Sequence, residues 1–290
     1  MPTRKKPHAP ARLGRCLARM PASRWLPPLR LARQLYLQEY EPVLPGLPEA
    51  LDGLTIAYAS DIHYGAYLNA DRVRDLAERM NALEADILLL GGDYGEDTAT
   101  ALACWEILPP LRARLGTYAV MGNHDRAEGG LSALIQAMEN RGVTPIVNGA
   151  ARLRVRDSTL ALCATDDYDM GEPDYEKTAR AAAGADFVIY APHSPDALAP
   201  AYALQEPPFF QLAVCGHTHG GQVAVFGFAP RSASRLGWRY GTRYRTGLLR
   251  EKGVTVIVSN GVGTSWLPVR LGVPPQYHRI TLRKAEKGKA

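Results

Sequence analysis

Apolar runs of strand length alternate with amphipathic stretches through most of this chain. Residues 54–60 form a continuous buried-type run, Asn69 can cap a helical pattern reaching to about residue 82, and residues 87–90 are wholly aliphatic. A helical stretch over 99–108 stops at Pro109-Pro110, a short run at 118–121 follows, and a helix over 131–141 ends at Gly142. The second half is richer in strands, expected at 151–156, 160–164, 187–190, 211–215, 222–226, 254–259 and 278–282. Between them only 175–183 and 195–204 read as helices. This balance predicts an α/β fold with two packed mixed β-sheets flanked by helices. Nothing in the pattern marks an internal repeat or a second domain.

The N-terminal stretch breaks the pattern. Residues 1–28 contain prolines at 2, 7, 10, 21, 27 and 28, which suit neither helix nor core. At 29–40, Leu31, Leu35 and Tyr36 recur at helical spacing beside Arg30 and Arg33, predicting a short amphipathic helix. The expected organisation is therefore a basic, proline-rich tail with its helix at 1–44, a catalytic domain at 45–282 and a basic tail at 283–290.

Charge follows that division. The first 33 residues hold nine Lys or Arg and no acid, whereas the remaining 257 hold 25 basic and all 29 acidic residues. The net +5 thus belongs to the tail, a composition suited to peripheral contact with an anionic membrane or simply to solvation. Nucleic acid is the weaker partner, because no basic module interleaved with aromatics is present. No apolar run reaches membrane-spanning length, and no secretory apolar core is seen. Cys16, Cys104, Cys163 and Cys215 lack paired spacing, which favours a reducing, cytoplasmic setting, on or off the inner membrane face.

Candidate chemistry sits directly after the apolar runs. In order come Asp61-Ile62-His63, Gly91-Gly92-Asp93, Gly122-Asn123-His124-Asp125, Pro192-His193-Ser194 and Gly216-His217-Thr218-His219-Gly220-Gly221. Carboxylate, imidazole and amide oxygen without sulfur suit Mn, Fe or Zn in a reactive centre and argue against a structural zinc knot. Alternating histidines in an extended segment point the same way, and in open α/β sheets the carboxyl ends of strands gather sites on one rim.

The order of these motifs resembles the calcineurin-like metallophosphoesterase family, whose pattern is D-x-H, GD, GNH[DE], H and GHxH. The similarity is greatest to bacterial YkuE/YaeI-like phosphodiesterases, through residues 258–265, Leu267-Pro268-Val269-Arg270, Pro274-Pro275 and Asp166-Asp167. The resemblance covers roughly residues 45–282. It implies a four-layer α/β/β/α sandwich and two divalent or trivalent metal ions. One is held by Asp61, His63 and His219, the other by Asn123, His193 and His217, and Asp93 bridges them. A carboxylate has the two oxygens needed to span cations ~3.5–4 Å apart. The same resemblance implies a metal-bridging hydroxide as nucleophile, His124 facing the substrate, and Asp125 fixing the His124 tautomer.

Substrate is less sharply drawn. The stretch 227–248 carries Arg235, Arg243, Tyr244 and Arg245 among other cations and aromatics, which suit an anionic ligand with a flat or apolar part. The expected function is hydrolysis of phosphodiester or pyrophosphate bonds on a lipid- or nucleotide-linked substrate. Some members of the resembled family cleave UDP-diacylglucosamine. A phosphomonoesterase or phosphoprotein phosphatase is the alternative, and a non-catalytic metal-binding scaffold a third. Oligomeric state has no signature in the sequence.

Overall fold

The structure is a computed structural model and describes residues 31–65, 68–126, 129–224, 243–265 and 267–285. Its strands are β1 (Tyr36–Tyr40), β2 (Val43–Leu44), β3 (Thr55–Ala59), β4 (Ile87–Leu90), β5 (Thr117–Ala119), β6 (Thr144–Pro145) and β7 (Gly149–Val155). They continue with β8 (Ser158–Ala164), β9 (Phe187–Tyr190), β10 (Leu212–Cys215), β11 (Gly247–Glu251), β12 (Val254–Val258), β13 (Gln276–Thr281) and β14 (Arg283–Lys284). The helices are α1 (Ala70–Ala82), α2 (Thr98–Ile107), α3 (Asn123–Arg126), α4 (Leu131–Glu139), α5 (Tyr175–Ala182) and α6 (Leu198–Leu204).

Two six-stranded sheets result, ordered β1-β13-β3-β4-β5-β6 and β11-β12-β10-β9-β8-β7. Strands β3 to β6 run parallel, as do β8, β9, β10 and β12, so the loops after them leave from one edge of each sheet. Side-chain alternation places the layers. Ile56, Tyr58, Ile87 and Leu89 of the first sheet meet Leu160, Leu162, Phe187, Ile189, Leu212 and Val214 of the second in the central core. Intervening residues such as Ala57, Ala59, Leu88 and Leu90 face α1, α2 and α4, where Val73, Leu76, Met80, Trp105 and Leu134 cover them. Ala161, Cys163, Ala213 and Cys215 turn outward to α5 and α6. The expected four layers are all present.

Local signals set the helix starts. The Asn69 carboxamide accepts from the Arg72 amide, Asp97 and Thr100 form a reciprocal cap, and Asp174 accepts from the Lys177 amide.

Three expectations need correction. Tyr36–Tyr40 is a strand paired in parallel with β13, and no helix extends to residue 40. The apolar recurrence at Leu31, Leu35 and Tyr36 is real, but a free sheet edge offers five residues backbone partners that a short surface helix lacks. Both domain boundaries also shift outward. Val43–Leu44 pairs with Arg283–Lys284, Leu44 is buried, and Arg283 and Lys284 form ion pairs with Glu41 and Glu49. Finally, the strand expected at 222–226 reduces to one bridge between Val223 and Leu271, with Gln222 at φ 55° closing a tight turn; residues 225–226 lie outside the described residues. The tail at 1–30 and residues 286–290 also lie outside them.

His278, on β13 between β1 and β3, is fully buried beside Tyr40 and Tyr58, with Nε2 2.7 Å from Ser259 Oγ. Burial pushes its pKa down to about 4. Between pH 6.5 and 4 the unfolded chain therefore takes up a proton that the folded chain refuses, and stability falls as pH drops through that window. In denaturant titrations, the stability difference between wild type and His278→Gln should shrink by up to about 3 kcal/mol from pH 6.5 to 4. A difference independent of pH would show that His278 does not carry this dependence.

Candidate metal centre

Every proposed ligand lies just past the carboxyl end of a parallel strand. Asp61 and His63 follow β3, Asp93 follows β4, Asn123 follows β5, His193 follows β9, and His217 and His219 follow β10. The chain turns sharply there. Asp61, His63, Asp93, His217 and His219 have φ of 55°, 48°, 57°, 68° and 51°, a left-handed region that non-glycine residues seldom occupy. Such strain persists only where the surroundings over-determine it, and it gathers at functional sites.

Close approach of backbone completes the cradle. A Cβ added to Gly122 would lie 2.2 Å from Asp93 Oδ1, and one added to Gly216 would lie 2.5 Å from Asp61 Oδ2. The His217 amide donates to both Asp61 oxygens at 2.9 and 3.1 Å, and the His124 amide donates to Asp93 Oδ1 at 2.9 Å.

The side chains converge as two overlapping groups. Donor atoms of Asp61, His63 and His219 lie within 4.8 Å of one another, as do those of Asp93, His193 and His217. His63 Nε2 is 3.0 Å from His219 Nε2, and His217 Nδ1 is 2.9 Å from Asn123 Oδ1. Asp93 Oδ2 stands between the groups, 3.5 Å from His63 Nε2 and 3.3 Å from His193 Nε2. The structure thus brings together all seven residues that the motifs single out as ligands.

Electrostatics fits a cation. Burial alone would push the Asp93 carboxyl up, yet His193, His124 and His63 hold it well below the usual carboxylate range. Burial opposes charge on His63, but Glu96 and Asp93 raise it to about 9, and His193 is raised by Asp93 in the same way. Burial drives His217 and His219 down. The carboxylates thus favour positive charge on His63 and His193. His193 Nε2, buried and aimed at Asp93, has no hydrogen-bond partner, as expected of a nitrogen shaped for a metal ion.

His124 is half-buried and joins His63 edge to face at 4.9 Å. Its Nδ1 lies 3.0 Å from the Glu96 carbonyl, which can only accept, so Nδ1 carries the proton and Nε2 is left for other work. Asp125 does not fix that tautomer, contrary to expectation. Its carboxylate accepts from the amides of Asp93, Tyr94 and Gly122 at 2.7, 3.1 and 2.8 Å, tying the second motif to the third. Burial and the Asp93 charge push Asp125 up to about 7.

The expected substrate contacts fare differently. Tyr244 packs in the outer core of the second sheet beside Tyr202 and Val256. The Arg243 guanidinium is 3.6 Å from Glu251, bonds the Arg250 carbonyl and lies 5.8 Å from the Tyr244 ring. Arg245 is half-buried, and its carbonyl accepts from Thr218 Oγ1. Arg235 lies outside the described residues. Among the described residues, Glu96, Asp169 and the fully buried Arg270 also reach the centre, and the Arg270 guanidinium bonds the carbonyls of His219, Gly261 and Gly263. Glu96 sits three residues beyond Asp93, the only local signal that could have found it.

The calcineurin-like phosphoesterase family matches residues 54–221, more than half of the chain and all of the motif-bearing strand ends. The chain belongs to that family. It is 28% identical to the uncharacterized metallophosphoesterase YkuE of Bacillus subtilis over 82% of each protein. It is 27% identical to the phosphodiesterase YaeI of Escherichia coli, over 78% of this chain and 81% of that one. A transmembrane protein with a metallophosphoesterase domain from Bos taurus is 29% identical over 82% of this chain, which spans 55% of that protein's length. No helix among the described residues is long and apolar enough to cross a membrane. The chain is thus a phosphoesterase by family, with candidate metal-binding residues at its strand ends.

Gly122→Ala should displace the Asp93 carboxylate, since its Cβ has no room beside Oδ1. Elemental analysis of the purified phosphoesterase variant should show reduced metal content with a circular dichroism spectrum like that of wild type. Unchanged metal content would mean that the Gly122 approach does not position Asp93.

Proposed function

We propose that this phosphoesterase hydrolyses phosphodiester or pyrophosphate bonds with two metal ions, Mn, Fe or Zn. One is held by Asp61, His63 and His219, the other by Asn123, His193 and His217, with Asp93 shared. The observation that carries this reading is Asp93 Oδ2 lying 3.5 Å from an imidazole nitrogen of one group and 3.3 Å from one of the other. Cations bound there supply Lewis acidity and a nucleophilic water at neutral pH.

The remaining work belongs to the chain. Protonated on both nitrogens, with Nδ1–H donating to the Glu96 carbonyl, His124 presents Nε2–H to the phosphoryl oxygens and gives that proton to the leaving alkoxide, ending as the neutral Nδ1–H tautomer. Asp125 keeps the loops carrying Asp93 and His124 in register through its three amide bonds. A phosphodiesterase name on the YaeI relative supports a diester as the substrate class, and a lipid- or nucleotide-linked diester such as UDP-diacylglucosamine follows from the family resemblance.

Metal-reconstituted protein should hydrolyse bis-p-nitrophenyl phosphate faster than p-nitrophenyl phosphate. The reverse order would favour the phosphomonoesterase reading, and no hydrolysis of either would favour a scaffold. Asp93→Asn should lose both metal and rate. His124→Ala should keep the metal and lose kcat by roughly 10²- to 10⁴-fold. Loss of metal in the His124 variant would instead make it a ligand, a role its grouping with His63 and Asp93 would permit.

We also propose peripheral contact with an anionic membrane, carried by the nine Lys or Arg among the first 33 residues. Each contributes on the order of 1 kcal/mol near such a surface, screened by salt. A chain beginning at Leu31 sheds eight of the nine and retains β1, whereas a start at Pro42 would remove that strand. Full-length protein should sediment with anionic vesicles at low salt and dissociate as salt rises, and the chain beginning at Leu31 should not bind. Equal binding by both would show that the tail is not the anchor.

A further inference from the structure

An imidazole that gives one nitrogen to a cation must carry its proton on the other, and a buried proton needs an acceptor. His193 meets this requirement through backbone, with Nδ1 2.7 Å from the Gly91 carbonyl. His63 turns Nε2 inward toward Asp93 and His219, so its outward nitrogen is Nδ1, 3.2 Å from Glu96 Oε1. His217 is mounted the other way round. Nδ1 faces Asn123 Oδ1 at 2.9 Å, and the outward Nε2, buried and without a hydrogen-bond partner, faces Asp169 Oδ2 at 3.8 Å. His219 is the exception, because its Nδ1 lies 3.3 Å from Arg270 Nη2.

Each proposed cation position therefore has one imidazole backed by a carboxylate that belongs to no ligand motif. We infer that Glu96 and Asp169 are positioning residues, Glu96 for the cation held by His63 and Asp169 for the cation held by His217. Neither touches the cation. Each fixes the ring proton on the outward nitrogen, orients the ring and makes the inward nitrogen a stronger donor. Location supports this division. The two carboxylates are 29% and 23% exposed, at the rim of a centre whose aspartate and histidine donors are buried. Asp169 is aimed by its own backbone, whose amide donates to Asp167 Oδ1 at 3.0 Å. Glu96 has a second tie to the centre, since its carbonyl holds His124 Nδ1. Exchanging only its carboxylate separates the two roles.

The inference rests on the two-cation reading above, and metal retention separates the two. Mn-loaded wild type, Glu96→Gln, Asp169→Asn and the exposed control Glu172→Gln would be dialysed against graded chelator and their metal content measured. Wild type and the control should lose their ions together. Glu96→Gln and Asp169→Asn should each release one ion at roughly 10- to 100-fold lower chelator and retain the other, and the double variant should release both. In assays, the Mn concentration for half-maximal rate should rise by more than kcat falls. Glu96→Asp, which keeps the charge, should lie between wild type and Glu96→Gln. Retention curves for both single variants that superimpose on wild type would overturn the inference. Wild type holding fewer than two ions would instead overturn the two-cation reading itself.

Discussion

Burying carboxylates next to one another is the constraint on which the rest of this structure depends. Asp61, Asp93 and Asp125 are all nearly inaccessible to solvent, and an isolated ionised carboxylate in such surroundings is strongly disfavoured. Each has a different remedy. Asp61 accepts the His217 amide, Asp93 is flanked by imidazoles, and Asp125 collects three backbone amides. The left-handed turns follow from this need. Only a chain that reverses within one or two residues of a strand end can aim both an amide and a side chain at the same oxygen.

The two-sheet architecture makes those reversals coincide. Parallel strands leave the sheets in one direction, and alternation sends one set of side chains into the central core and the other under the helices. Ala57, Ala59, Ala161 and Ala213 lie on the helix-facing sides, which lets helices settle close while Tyr58, Phe187 and Leu212 fill the space between the sheets. The core is thus a rigid mount for loops that would be unstable alone. Chemistry sits at the rim of that mount, as the family's motifs require.

Division of labour within the centre is sharp. The converging aspartates and histidines at 61, 63, 93, 193, 217 and 219 are buried, whereas Glu96, Asn123, His124 and Asp169 are partly open. Charge held in the buried group meets little competition from water. Arg270 stands apart, a buried cation whose hydrogen bonds go to backbone carbonyls and to His219, binding the last two loops of the site from behind. Burial pulls it down to about 9, so it remains charged at neutral pH.

Most of the candidate site was legible in one dimension. Asp61, His63, Asp93, Asn123, His193, His217 and His219 occur in short motifs at the ends of apolar runs, and both features are local. The α/β layering was legible for the same reason, because strand alternation and caps such as Asn69 act over a few residues. Tertiary structure alone decided what depended on distant partners. Residues 36–40 are helical by spacing yet form a strand because β13 offers its edge. Tyr244 has the composition of a ligand contact yet fills core. Asp125 is adjacent to His124 in sequence but bonds the loop that carries Asp93, and Glu96 and Asp169 meet their histidines only after folding. Motifs name the candidate atoms for chemistry. Which groups hold those atoms in place depends on contacts between segments that sequence separation hides, and these are set by packing and by the demand that every buried charge and proton find a partner.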